Sequence, residues 1–295
     1  MKIWILPDKK SLLSYLPTMI QGEEKPTIEQ MFYRDRDEGE NQSLAAFVAT
    51  ISRLQGKGLS LHWVGDIDND SPWKNHLTDP LILYLDSLPK VVAPPFSKAA
   101  KVVVPSYYLK ERMERGGLFP PETLERLQPM LSPDTPSILR QGSSNKKPRQ
   151  RRRLLVIEEY VTNHERQRLQ RCVRTVQKRG FPHFRMVTIP LIHLLQGRPI
   201  PPVHMVFTGG EASTSLSLFH LVLMNQGIPI ITTDQGDRGE WVLHGHTGYL
   251  LGKKDTKKDW SYYLTSMVKD STMRRDFAQN GHLLIAWLRD QQMKA

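Results

Sequence analysis

Gly227-Ile228-Pro229-Ile230-Ile231-Thr232-Thr233-Asp234-Gln235-Gly236 runs on through Glu240-Trp241-Val242-Leu243-His244-Gly245-His246-Thr247-Gly248-Tyr249-Leu250-Leu251. Ile228 to Thr232 is a short apolar run rich in β-branched residues and reads as a strand. Asp234 follows at its end. Gly236 and Gly248 allow turns with positive φ and close approach of backbones. Tyr249-Leu250-Leu251 reads as a further short strand.

The same logic extends outward in both directions. Val203–Phe207 predicts a strand and Thr214–Gln226 a helix. Leu154-Leu155-Val156-Ile157 predicts a buried strand. The helix after it, His164 to Arg179, places Leu169, Cys172, Val173 and Val176 on one face. Two helices close the chain, about Lys257–Lys269 and Met273–Arg289. In the first half, Lys2–Leu6, Leu59–Val64, Leu81–Leu85 and Lys101–Val104 predict strands. Ser43–Leu54 predicts a helix with Leu44, Phe47, Val48 and Ile51 inward, ended by Gly56. Ser106 caps a helix that reaches about Arg115 before Gly116-Gly117. Strands alternating with helices imply mainly parallel sheets. The expectation is an α/β chain of two Rossmann-like domains facing across a cleft, 1–137 and 138–295, with strand C-termini at the ligand side. The last helix is expected to pack back on the first domain. No internal repeat is visible.

The chain has 295 residues, 39% of them hydrophobic and 24% charged, which is the composition of a folded globular chain of one or two domains. No apolar run is long enough for a membrane span, and Met1-Lys2-Ile3-Trp4 does not read as a signal peptide. The single Cys172 excludes an intramolecular disulfide or a cysteine-based zinc site, so a cytoplasmic location is expected. The net charge is +11, but 146–185 holds 13 Lys/Arg against 3 Asp/Glu and so carries ten of those charges. The remainder is balanced. This is a local basic segment, a linker plus a helix face, and its sharper readings are an anionic membrane surface, a nucleic acid or a phosphate-bearing ligand. Only Tyr160, Phe181 and Phe184 are aromatic there and none alternates with the arginines, which disfavours nucleic acid.

The opening stretch resembles the donor-binding half of retaining GT-B glycosyltransferases of the glycosyl-transferase group 1 type. In that family a G-x-P-V-I-x-(T/S)-D strand leads into G-G-x-x-E-x-x-x-x-G-x-T-G-x-L. Ala100-Lys101-Val102-Val103-Val104-Pro105-Ser106 is similar to a segment near the end of the family's first domain. The resemblance implies transfer of a sugar from a nucleotide-diphosphate donor to a glycan, lipid or small acceptor, with retention at the anomeric carbon, no metal and no other cofactor. The first domain would bind the acceptor and the second the donor. Gly209 and Gly210 would let a nucleotide approach the main chain. Thr214 and Ser215 would cap a helix whose N-terminus suits a diphosphate. Asp234, Gly236 and Glu240 complete the donor side. A basic 146–185 face would allow peripheral contact with the inner side of an anionic membrane.

The sequence also departs from the family. The two donor-contacting glutamates fall, counting back from Gly227, at Thr214 and Val222, so Glu211 is the candidate substitute. The diphosphate-binding Arg and Lys fall near Glu159 and His164, which leaves Arg166 and Arg168 to supply charge. Pro7-Asp8-Lys9-Lys10 replaces a glycine-rich loop, and Leu85 stands where a histidine is common. His62 and Asp86 are the acceptor-side candidates. Asp66-Ile67-Asp68-Asn69-Asp70 lacks the glycine and closing glutamate of a calcium loop. The alternative to an enzyme is a GT-B scaffold that has lost its chemistry and acts as a binding subunit.

Overall fold

In the computed structural model of the chain, the described residues are 2–6, 28–32, 60–64, 81–85, 89, 92, 96–126, 152–196, 198–211 and 213–293. The chain divides into two units, Met1–Ser132 with Ser213–Ser215, and Pro133–Ala212 with Leu216–Ala295.

The first unit carries a six-stranded parallel sheet of β1 (Lys2–Leu6), β2 (Ile28–Phe32), β3 (Ser60–Val64), β4 (Leu81–Tyr84), β5 (Lys101–Val104) and β6 (Leu124–Arg126). Its spatial order is β2-β1-β3-β4-β5-β6. Helix α1 (Tyr107–Arg115) starts where the Ser106 hydroxyl accepts the Leu109 N–H, as the sequence predicts. Trp63, Leu83, Phe96, Val102, Val104, Leu109 and Met113 form its core, with the Trp63 and Phe96 rings 5.8 Å apart. The predicted helix Ser43–Leu54 lies outside the described residues.

The second unit carries a five-stranded parallel sheet, β7 (Arg153–Ile157), β8 (Arg185–Ile189), β9 (Met205–Thr208), β10 (Ile230–Thr233) and β11 (Gly248–Leu251), in the order β11-β10-β9-β7-β8. Between them run α2 (Asn163–Lys178), α3 (Leu191–Leu195), α4 (Thr214–Asn225) and α5 (Arg238–Trp241), and after them α6 (Lys257–Lys269) and α7 (Ser271–Met293). All four of Leu154, Leu155, Val156 and Ile157 are buried, so both faces of β7 are covered, as in doubly wound sheets. Leu154, Val156, Met205, Phe207 and Ile231 pack with Leu169, Cys172, Val173 and Val176 of α2 and with Trp260, Leu264 and Met267 of α6. The apolar face predicted for α2 is the buried one. In α4 Leu216, Leu218, Phe219, Leu221, Val222, Leu223 and Met224 are all buried, which places apolar side chains around most of the helix.

In each sheet the first strand lies between the second and the third, the order that reverses chain direction at one point. Two Rossmann-like units are therefore what the expected α/β alternation folds into. The strands absent from the sequence reading are β2, β6 and β8, and all three are sheet edges. The two glycines of the opening motif do different work. Gly236 has φ +64, while a Cβ at Gly248 would fall 2.2 Å from the Ile230 carbonyl oxygen on the neighbouring strand.

Candidate functional site

In a doubly wound sheet the ligand crevice lies outside the carboxyl ends of the strands, where the order reverses. In the second unit that point is between β7 and β9. Beyond β7 the chain makes a short turn, Glu158–Tyr160, and enters α2 through Thr162. Beyond β9 it passes through Gly209, Gly210 and Glu211. Gly210 has φ +76, a conformation that side chains disfavour. The Gly209 N–H donates to the Tyr160 carbonyl at 2.6 Å and ties the two loops together.

One carboxylate sits between these loops. Thr162 and Glu165 form a capping box, in which the Thr162 hydroxyl accepts the Glu165 N–H and Glu165 Oε2 accepts the Thr162 N–H at 2.8 Å. The same oxygen accepts the Thr162 hydroxyl at 2.8 Å and the Gly210 N–H at 3.0 Å. Glu165 is only 7% exposed. A Cβ at Gly209 would fall 2.6 Å from its carboxyl atoms, so the absence of a side chain there is what lets the carboxylate reach Gly210.

The carbonyls of that loop face a buried cation. Arg238, with no exposed surface, donates to the Gly209 carbonyl at 2.9 Å, to the Gly210 carbonyl, and to the carbonyl and hydroxyl of Thr233 at the end of β10. Its neighbour Asp237, also buried, accepts the Ser217 hydroxyl and the Trp241 indole N–H at 3.3 Å. Below this layer His220 Nε2 lies 2.7 Å from the Thr208 hydroxyl. Burial, and then the nearby Arg238 charge, hold His220 down to about 3, so it is neutral at physiological pH. Its Nδ1 and the Thr232 hydroxyl are buried without hydrogen-bond partners.

The sequence-predicted donor residues distribute as follows. Gly209, Gly210 and the exposed Glu211 follow β9, and the exposed Asp234 and Gly236 follow β10, the adjacent strand. Glu240 is half-buried in α5, and Thr214 is the first residue of α4. The Ser215 hydroxyl lies 3.1 Å from that of Ser213. Arg166, half-buried at the end of the first turn of α2, has its Nε buried without a hydrogen-bond partner. Arg168 is placed elsewhere. Its guanidinium lies 4.2 Å over the Trp260 ring and donates to the Asp255 carbonyl, which joins α2 to α6. Glu159, at a position where the resemblance implies a cation, instead accepts the Leu191 N–H at 2.8 Å at the start of α3. Val222, at the second glutamate position, is in the core. His62 is on β3, paired with Trp4 and Ile82, but its side chain and all of Asp86 lie outside the described residues.

The sequence reading missed Glu165, Asp237, Arg238 and His220. For Glu165 a signal existed, because Thr162-x-x-Glu165 is a capping-box spacing. For Arg238 there was none, since an arginine in a polar stretch looks like surface. Among the described residues no group of three His, Cys, Asp or Glu could hold a metal ion, and no helix is long and apolar enough to cross a membrane.

Fold and switch point together define a chain of the GT-B type. Solved structures similar to it include HepE from Anabaena in complex with UDP and glucose, with a TM-score of 0.56 and 12% identity over 100% of this chain and 98% of that one. TarM from S. aureus, in complex with fondaparinux, alpha-GlcNAc-glycerol and UDP, matches with a TM-score of 0.55 and 10% identity over 85% of this chain and 58% of that one. A putative UDP-N-acetylglucosamine 2-epimerase from Listeria monocytogenes matches with a TM-score of 0.52 and 12% identity over 99% of this chain and 96% of that one. No protein-family model and no curated protein sequence matches the chain. At identities this low the structural likeness shows the fold alone, and a fold does not choose among chemistries.

Proposed function

We propose that the protein is a glycosyltransferase that moves a sugar from a nucleotide-diphosphate donor to a glycan, lipid or small acceptor. Residues 138–295 form the donor domain and 1–137 the acceptor-side domain. The observation that carries this reading is the likeness, over 100% of this chain, to HepE, solved with UDP and glucose. The glycines of the β9 exit and the exposed Asp234 and Gly236 of the β10 exit follow adjacent strands at the carboxyl end of the sheet, the side on which a donor would bind. Gly209, Gly210, Thr214, Ser215, Asp234, Gly236, Glu240 and Arg166 are the donor-side residues in this reading. Arg168 acts through its contact with α6, and Glu211, with His62 and Asp86, is the candidate for the chemistry.

Transfer proceeds with retention and without metal or other cofactor, the leaving diphosphate being stabilised by cations and helix termini. The basic 146–185 segment, whose α2 part exposes Arg171, Arg174 and Lys178, gives peripheral contact with the anionic inner face of a membrane. The test is a panel of nucleotide sugars scored for donor hydrolysis and transfer, with and without a chelator, and with the product anomer read by NMR. Turnover of one donor with the anomer retained is expected. A chain that binds no nucleotide by calorimetry is a scaffold without this chemistry. Epimerisation of a UDP-sugar would place it instead with the Listeria protein.

A further inference from the structure

The donors at the β7/β9 switch point already hold an anion, and it belongs to the chain. A helix start and a glycine N–H at such a point ordinarily receive a ligand's phosphate. Here Glu165 takes the Thr162 N–H, the Thr162 hydroxyl and the Gly210 N–H. This exceeds what a helix cap requires. Gly210 lies 45 residues away on another loop, and Gly209 lacks the side chain that would push the carboxylate off. Arg238 fixes the same loop from behind by its carbonyls, so the N–H is held toward Glu165. Beside Glu165, Arg166 keeps a buried Nε with no hydrogen-bond partner, a donor that Glu165 does not take.

We infer that the Glu165 carboxylate is a built-in competitor for the donor's phosphate, and that it sets how tightly a nucleoside diphosphate binds. This rests on the donor-binding role proposed above for the second unit. A diphosphate gains the Gly210 N–H only by displacing Glu165, and until then the two negative charges repel in a site of low exposure. The carboxylate is thus a specificity-determining group that weakens phosphate binding while leaving the nucleoside part unaffected.

The experiment is calorimetric titration of UDP and of uridine into the full-length wild type, Glu165→Gln and, as a control on the other capping box, Asp259→Asn. Glutamine keeps the acceptor oxygen and removes the charge. Expected is UDP affinity about tenfold or more tighter in Glu165→Gln, with uridine affinity and the Asp259→Asn protein unchanged. A structural role alone would move UDP and uridine together or neither. Unchanged or weaker UDP binding in a folded Glu165→Gln protein overturns the inference and leaves the donor reading intact if the wild type binds UDP. Binding by Glu165→Gln but not by the wild type upholds the inference and removes the proposed activity from the wild-type chain. Binding by neither removes both. Should Glu165→Gln fail to fold, the glycine amides of the wild type, labelled with 15N, give the answer. Saturating UDP is expected to shift the Gly210 resonance, and a Gly210 resonance that stays in place overturns the inference.

Discussion

Two helices of the second unit begin with the same four-residue device and put it to different use. α2 starts Thr162-Asn163-His164-Glu165 and α6 starts Thr256-Lys257-Lys258-Asp259, each a threonine and an acid in a reciprocal capping box. At α6 the carboxylate serves only its own helix. Asp259 accepts the Thr256 N–H at 2.6 Å and its hydroxyl at 2.7 Å. Those bonds, led by the hydroxyl, hold its acid below the ordinary carboxylate value. At α2 the carboxylate is buried and reaches a second loop. The local motif is equal in the two places, and the position in the sheet makes one a cap and the other a part of the candidate site.

The comparison breaks most severely at Arg238, which holds the loop that makes the α2 box different. Arg238→Met strands carbonyls of Gly209, Gly210 and Thr233. It is expected to cost about 3–5 kcal/mol and to lower the melting temperature by roughly 10 °C. A melting temperature equal to the wild type's would mean that the loop is held by something else. Next in size, Glu165→Ala leaves the Gly210 N–H and the helix start without an acceptor, at about 2–3 kcal/mol by chemical denaturation. A loss no larger than that of Asp259→Ala would erase the distinction between the boxes.

Protons test the second unit in another way, through two histidines that resist protonation, His220 buried in α4 and His204 half-buried just before β9. His220 is held to about 3, by burial and then Arg238, and His204 to about 4, by burial and then Arg152. Both are depressed below the unfolded value near 6.5. Above that value neither state binds the proton and stability is undiminished. Below it the unfolded chain takes up protons that the native chain refuses, until pH reaches the folded values. Stability is therefore expected to fall by up to ~1.4 kcal/mol per pH unit from the fully buried His220 between about pH 6 and 4.5, with a smaller, solvent-screened share from the half-buried His204, and His220→Gln should remove the larger part of that slope. An unchanged slope in His220→Gln would show that this imidazole titrates normally. The smallest effect belongs to Asp259→Ala, a slight drop in melting temperature that 1 M salt should not alter, since a local hydrogen-bonded cap is at stake.

How far the sequence could be read follows sheet position. The strands predicted from pattern include every interior strand, β1, β3, β4 and β5 in one sheet and β7, β9 and β10 in the other. Interior strands of a parallel sheet are buried on both faces and so read as mostly apolar runs. β2, β6 and β8 are edges; Ile28-Glu29-Gln30-Met31-Phe32 and Leu124-Glu125-Arg126 interrupt the apolar run with charged or amide side chains, and in β8 Met186 to Ile189 are only half-buried. Helix faces were legible for the same reason. Leu169, Cys172, Val173 and Val176 recur at helical spacing and are all buried.

The sequence by itself determined the alternation of strand and helix, the parallel sheets that follow from it, the glycine pair after β9, and the motif from Gly227 to Leu251. Each is a matter of local pattern or of a residue type that one backbone conformation requires. Tertiary structure alone decided which charges face the switch point. Arg168, expected at the phosphates, packs on Trp260, and Glu159 turns to the start of α3. Arg238, in an unremarkable polar stretch, is fully buried, and Glu165, a cap by its spacing, joins loops 45 residues apart. A charged side chain carries no local sign of its partner. Its place is set by which distant backbone groups the fold leaves unsatisfied, and those exist only once the strands are side by side.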